Sequence, residues 1–243
     1  NLSKKWVNQN GNWFMLISAL LVLLIWYLVS DWGDLPAFIL PSPLMIWNTF
    51  VRTLLDGSLV WHFSLTLIEV LLGLTAGSFL ATMIGYFLAK SSTLERILSP
   101  YLVASQAIPT VAIAPLLVIW FGPGLFSKIL IAGLIVFFPV LVNTVVGVKS
   151  VPQDLRDLMR SLRATKSQTL RFLEIPAALP VFLGGLRVGA TLSVIGAVVG
   201  EFVGADRGLG FLISVGRGQY DTSLVFVAVF ALIGMALGLY GTV

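Results

Sequence analysis

Six apolar stretches, at about 13–29, 65–89, 101–121, 126–148, 181–203 and 224–243, account for most of this chain. Each is close to the ~20 residues that a helix needs to cross the hydrocarbon of a bilayer. Composition agrees: 58% of the 243 residues are hydrophobic and 11% charged, and the mean hydropathy of +0.98 exceeds what a soluble core of this size requires. The expected fold class is therefore all-α, a polytopic membrane protein with about six transmembrane helices.

The basic residues orient the chain. With the N-terminus inside, Lys4, Lys5, Lys90, Arg96, Lys149, Arg156, Arg160, Arg163, Lys166 and Arg171 are cytoplasmic. Only Arg52, Lys128, Arg207 and Arg217 face outward, with Arg187 at a boundary, and this asymmetry favours a cytoplasmic N-terminus. Lys4 and Lys5 precede a run that is long for a signal peptide and is followed by no small-residue cleavage site before Asp31 and Trp32, so it is read as a retained span. Trp13, Trp32, Trp47, Trp61 and Trp120 suit interfacial anchors. Leu44, Trp47, Val51 and Leu54 recur at helical spacing in a segment too short to cross, which predicts a helix along the outer surface. The net charge of +4 and pI near 9.6 do not point to nucleic acid, because the cations flank apolar spans instead of interleaving with exposed aromatics.

Between the fourth and fifth stretches lies SVPQDLRDLMRSLRATKSQTLRFLEIPAALPVFLGGLR, residues 150–187. Leu155, Leu158, Met159 and Leu162 share one helical face, and Arg156, Arg160 and Arg163 occupy another sector. Thr165 and Gln168 form a capping-box pattern that starts a second short helix, which Pro176 and Pro180 are expected to stop before the next span. A membrane protein offers such a loop as a handle to a soluble partner.

This segment resembles the EAA loop of membrane subunits of bacterial ATP-binding-cassette importers, whose pattern is Glu-Ala-Ala, three residues, Gly, nine residues, Ile, one residue, Leu-Pro. The register falls on Asp157, Leu158 and Met159, then Arg163, then Leu173, Ile175 and Pro176. Asp157 keeps the acid, while Arg163 in place of glycine predicts that the tight turn falls elsewhere. The likeness runs on through PAALPVFLGGLRVGATLSVIGAVVGEFVGADRGLG and back to about Leu40, and is greatest for the nitrate, sulfonate and taurine branch. It implies a type I importer permease fold in the bacterial inner membrane, one domain over 1–243 with its core at 65–243, a peripheral first span at 13–29 and a cytoplasmic coupling loop at 150–180. It further implies two copies of an ATPase, a second permease subunit as homodimer or heterodimer, and a periplasmic or lipid-anchored solute-binding protein. The ATPase-coupling residues would be Asp157, Leu158, Met159, Arg160, Leu162, Arg163 and Ala164, with Leu158, Met159 and Leu162 docking and Arg160 or Arg163 at the rim.

No catalytic constellation, metal site or cofactor site emerges. Cys is absent, which excludes thiolate sites; His62 has no neighbouring ligand type and reads as interfacial. In DRGLG, Asp206 to Gly210, the glycines lack a Walker pattern, so ATP binding is expected in a separate subunit. Glu69 and Glu201 fall near outer span ends as paired or solvated acids, and Glu201 matches the family acid. Pro109 and Pro115 interrupt the third stretch, and broken helices at membrane depth line cavities or are buried in protein. The candidate translocation path is Ser105, Gln106, Pro109, Thr110, Thr191 and Ser193. Gly184, Gly185, Gly189 and Ala190 supply a face for close helix packing.

The expected function is translocation of a small solute delivered by an external binding protein. Cations appear scarce at mid-span, which makes a vitamin or precursor, riboflavin or a thiamine pyrimidine, at least as suitable as a sulfonate or nitrate-type anion. The GEFVGADRGLGFLI stretch also resembles branch members linked to riboflavin or thiamine-precursor uptake. The alternative is a secondary transporter or channel not powered by ATP, against which stands the absence of a repeat between halves and of a chain of intramembrane charges.

Overall fold

In the computed structural model, which describes residues 13–14, 17–18, 20–30 and 36–243, every regular element among the described residues is helical. Lys4, Lys5 and Trp32 lie outside the described residues, as does part of the first apolar stretch. The helices are α1 (Leu20–Ser30), α2 (Pro43–Leu55), α3 (Ser58–Lys90), α4 (Ser92–Gln106), α5 (Thr110–Phe121), α6 (Leu125–Lys149), α7 (Gln153–Ser161), α8 (Lys166–Thr169), α9 (Ile175–Phe202), α10 (Leu209–Gly218) and α11 (Thr222–Thr242). A π-helical turn, Leu170–Glu174, joins α8 to α9 without a break. Among the described residues four helices are long and apolar enough to span a bilayer, α3, α6, the continuous Lys166–Phe202 and α11, or five if α4 and α5 together form one.

Two compact units divide the chain: residues 1–60 with 212–229, and 61–211 with 230–243. In the first, Ser42 caps α2 by accepting from the Met45 amide at 3.3 Å, and Pro43 occupies the position where a missing N–H costs nothing. Ile46 and Thr53 are buried on one side of α2, while Leu44, Trp47 and Leu54 are exposed. The Trp26 indole donates to the Pro41 carbonyl at 3.2 Å and packs on Phe226.

In the second unit α6 and α9 pack together along their length, because small residues let the backbones approach. A Cβ at Gly196 of α9 would fall 2.6 Å from the Ala132 Cα of α6, and α3 approaches the same helix as closely, a Cβ at Gly77 falling 2.5 Å from the Gly133 carbonyl oxygen. Gly185 and Gly189 are buried against Asn143 and Val136, as the small face predicts, whereas Gly184 meets open space. Leu74, Ala81, Leu88, Val136, Val140, Leu141 and Ala190 form the core that results.

The third apolar stretch is not a straight span. Helix α4 begins at Ser92, capped by Ser91, and meets α5 at 92°. Pro109 has no N–H to continue the ladder and disfavours helical geometry at Ile108, so the chain restarts at Thr110.

Candidate functional site

The loop between α6 and α9 has the expected helix–turn–helix form. Leu155, Leu158 and Leu162 are 42, 53 and 68% exposed, an apolar stripe without a partner in this subunit, while Met159 is half-buried. Asp157 accepts from Arg160 at 3.1 Å and from the Gln153 amide at 3.2 Å, which braces the polar side of α7. The capping box is complete: the Gln168 amide N–H donates to Thr165 Oγ1, and the Thr165 N–H to Gln168 Oε1 at 2.8 Å.

Two expectations about this loop are corrected. The turn does not move away from Arg163. It closes at that residue, which adopts φ 53° so that its N–H reaches the Arg160 carbonyl and the Ala164 N–H reaches Met159. The closing hydrogen bonds outweigh the left-handed strain, which for a residue with a Cβ is about 1–2 kcal/mol. Arg163→Gly is accordingly expected to raise stability by about 1 kcal/mol, seen as a higher melting temperature of the detergent-purified chain. Nor do Pro176 and Pro180 stop the second helix. The π turn widens the ladder just ahead of Pro176, which then sits in the first turn of α9, where no N–H is required.

Glu174, at the end of the π turn, is 2% exposed. Its carboxylate pairs with Lys90, the last residue of α3, lies 4.0 Å from Arg156 of α7, and accepts from the Tyr86 hydroxyl at 3.4 Å. Arg156 also donates to the Val148 carbonyl at 2.8 Å, near the end of α6.

A second buried polar group lies at the opposite end of α3. Lys128 donates to Glu69 at 2.6 Å, both nearly inaccessible; Lys128 is thus a buried, paired cation. Glu201 accepts from the Thr66 hydroxyl at 2.7 Å and from the Gly210 N–H. Thr66 in turn accepts from the Leu209 N–H at 2.8 Å, and His62 Nδ1 from the Gly208 N–H at 2.9 Å. His62 therefore anchors the DRGLG backbone instead of sitting free at an interface. Outside this knot Asp206 is exposed beside Arg207, whose hydrogen bond holds its carboxyl below the usual aspartate range.

The remaining candidate residues are dispersed. Ser105 and Thr191 are half-buried, and their hydroxyls donate to Leu102 and Val188 of their own helices. Ser193 is fully enclosed and donates to the Ala190 carbonyl at 2.7 Å. Gln106 and Pro109 are exposed and Thr110 half-buried, around the break between α4 and α5. Arg187 lies within α9, exposed in this subunit, 5.7 Å from the Tyr240 ring centroid. A fixed cation is therefore present along a spanning helix, contrary to the scarcity inferred from sequence. Neither the Glu69–Lys128 pair nor the enclosed Glu174 follows from the local sequence pattern. A charge inside an apolar run is itself a sign that a partner exists, and Lys128 and Glu174 both carry that sign.

Apolar helices of spanning length, one right-angle break and a basic loop with an uncovered apolar stripe define a multi-pass membrane protein built to engage another subunit. The chain belongs to the family of binding-protein-dependent transport system inner membrane components, whose model matches residues 73–241; it is an ABC importer permease for small solutes. It is 46% identical to the riboflavin transport system permease protein RibX of Chloroflexus aurantiacus, over 92% of this chain and 84% of that protein. Identity is 38% to the formylaminopyrimidine transport permease protein ThiX of Halalkalibacterium halodurans, over 91% of this chain and 87% of the relative. It is 34% to the taurine transport system permease protein TauC of Escherichia coli, over 92% and 84%. Among solved structures, an inward-facing form of the MetNI methionine ABC transporter matches with TM-score 0.58 at 19% identity, covering 76% of this chain and 97% of that one.

Proposed function

We propose that this permease is the membrane subunit of an ATP-driven importer that takes up a heterocyclic nutrient, riboflavin or a pyrimidine precursor of thiamine, delivered by an external solute-binding protein. The assembly pairs it with a second permease subunit and two ATPase subunits, with the N-terminus and the 150–180 loop in the cytoplasm. One observation carries this reading: Leu155, Leu158 and Leu162 stand uncovered on a loop rimmed by Arg160, Arg163, Lys166 and Arg171. A short amphipathic helix of this kind docks by burying its apolar anchors in a groove, with the charges at the rim. The choice of nutrient rests on similarity, since identity to the riboflavin permease exceeds that to the taurine permease. In this arrangement the permease forms a passage of low selectivity near the α4–α5 break at Ser105, Gln106, Pro109 and Thr110, with Thr191 on α9 and the enclosed Ser193 behind it, and the external protein selects the ligand.

The test is reconstitution in proteoliposomes with the ATPase and the binding protein. Riboflavin uptake should require ATP on the loop side and should not run on an ion gradient alone. Leu158→Asp places a carboxylate in the docking face, and is expected to abolish ATPase co-purification and uptake while membrane insertion stays intact. Retention of the ATPase by this variant would overturn the docking reading.

A further inference from the structure

The docking helix is not tethered only through the backbone. Arg156 points away from the exposed leucine stripe of α7, toward the ends of the spans, with Nη2 on the Val148 carbonyl at 2.8 Å and Nη1 4.0 Å from Glu174. Glu174 closes the π turn from which α9 emerges, and Lys90 and Tyr86 bring the last turn of α3 to the same carboxylate. Parts of α3 and α7 thus meet at the Glu174 carboxylate ahead of α9, and Arg156 carries the link on to the end of α6.

Such a node differs physically from the ion pairs around it. Asp157–Arg160 lies within α7 and Glu95–Lys149 joins α4 to α6, and both are open to water and salt, which can uncouple them. The Glu174 carboxylate is almost wholly enclosed, so separating it from its cations leaves an uncompensated buried charge. The cations also lie at helix C-termini, where the carbonyl ends favour positive charge, so Lys90 and Arg156 are held from two sides. A cavity of about 490 Å³ adjoins the node between Met83, Tyr86, Phe87, Leu179 and Phe182. It leaves free space beside the π turn at Leu170, Glu174 and Ile175.

We infer that Glu174 is a positioning residue for transport: through Arg156 and Lys90 it ties the docking helix to α3, α6 and α9, so that displacement of α7 by the ATPase moves the spans together. The inference rests on the docking reading above. Without the carboxylate, α7 still presents its leucines and the ATPase still binds, but the movement is taken up in the loop.

The experiment uses the full permease–ATPase complex, with nitroxides on Ile119→Cys and Ile195→Cys, both exposed and otherwise in a cysteine-free chain. The distance between α5 and α9 is measured without nucleotide and with a non-hydrolysable ATP analogue. The unsubstituted Glu174 complex should show a nucleotide-dependent change. Glu174→Gln, which keeps the shape and removes the charge, should retain the bound ATPase and lose the change, and Glu174→Asp should recover part of it. Arg156→Gln provides the same reading through the other side of the node should Glu174→Gln fail to insert. A full distance change in Glu174→Gln or Arg156→Gln, with the ATPase bound, overturns the inference and leaves docking intact. Failure of the unsubstituted permease to hold an ATPase overturns the docking reading, and this inference with it.

Discussion

Lys128→Met should cost about 3–5 kcal/mol of stability, the usual result of stranding one member of a buried ion pair. Lys128 and Glu69 are each about one-twentieth exposed and meet at 2.6 Å across α6 and α3. Glu69 already has one carboxylate oxygen without a hydrogen-bond partner, so loss of the ammonium leaves both oxygens unsatisfied in a site that water does not reach. The companion change tests the cause. Glu69→Leu combined with Lys128→Met removes both charges, and replacing a buried pair by apolar groups of similar size is often neutral or stabilising. The double variant should therefore regain most of the loss. Unfolding of the detergent-purified chain, monitored through its tryptophans, measures the cycle. Additive losses in the double variant would mean that the two residues act separately.

The contrast between what this chain discloses in its sequence and what it conceals follows from distance along the chain. Local rules were sufficient for α2, with Ser42 and Pro43 at its start, and for the Thr165–Gln168 capping box, because donors and acceptors lie within one helical turn. They pointed to an interruption at Pro109 and Pro115, of which only Pro109, where a missing N–H acts on its immediate neighbours, breaks the helix, while α5 runs on through Pro115. They failed where partners are far apart. Lys128 and Glu69 are separated by 59 positions, and Thr66 and Glu201 by 135. Charge counting assigns Lys128 a side of the membrane and says nothing of its partner, because nothing near it in sequence is acidic. The π turn was missed for another reason: two prolines predict the end of a helix, unless the ladder widens just before the first of them. Arg163 shows the limit of matching letters to geometry, since the turn expects glycine and the backbone takes the same conformation with arginine. The exposed apolar stripe of α7, by contrast, follows from a local pattern, the helical period of Leu155, Leu158 and Leu162.

Gly208→Ala is the second large loss, expected at about 3 kcal/mol or more from backbone strain combined with a broken polar network. Gly208 adopts φ 111°, a region that residues with a Cβ rarely enter. A Cβ built there would run into the Glu201 carboxylate, 2.7 Å from Oε2 and closer still to its other atoms. The end of a glutamate can ordinarily swing aside, but this one is held by the Thr66 hydroxyl and the Gly210 N–H. Displacing it strands the Gly210 N–H and leaves the Thr66 hydroxyl only the longer bond to the His62 carbonyl at 3.2 Å. Because the Gly208 N–H also donates to His62 and the Leu209 N–H to Thr66, the same shift loosens the 208–209 backbone from α3 as well as Gly210 from α9. Hydrogen exchange at the 208–210 amides should therefore accelerate well beyond any global change in stability. Gly124→Ala is the control: it has ordinary φ and nothing within 4 Å of a built Cβ, and should stay within about 0.5 kcal/mol of the parent. Protection at 208–210 that survives Gly208→Ala would mean that the loop is held from elsewhere than Glu201, and that the knot of Thr66, Glu201 and His62 does not fix its position.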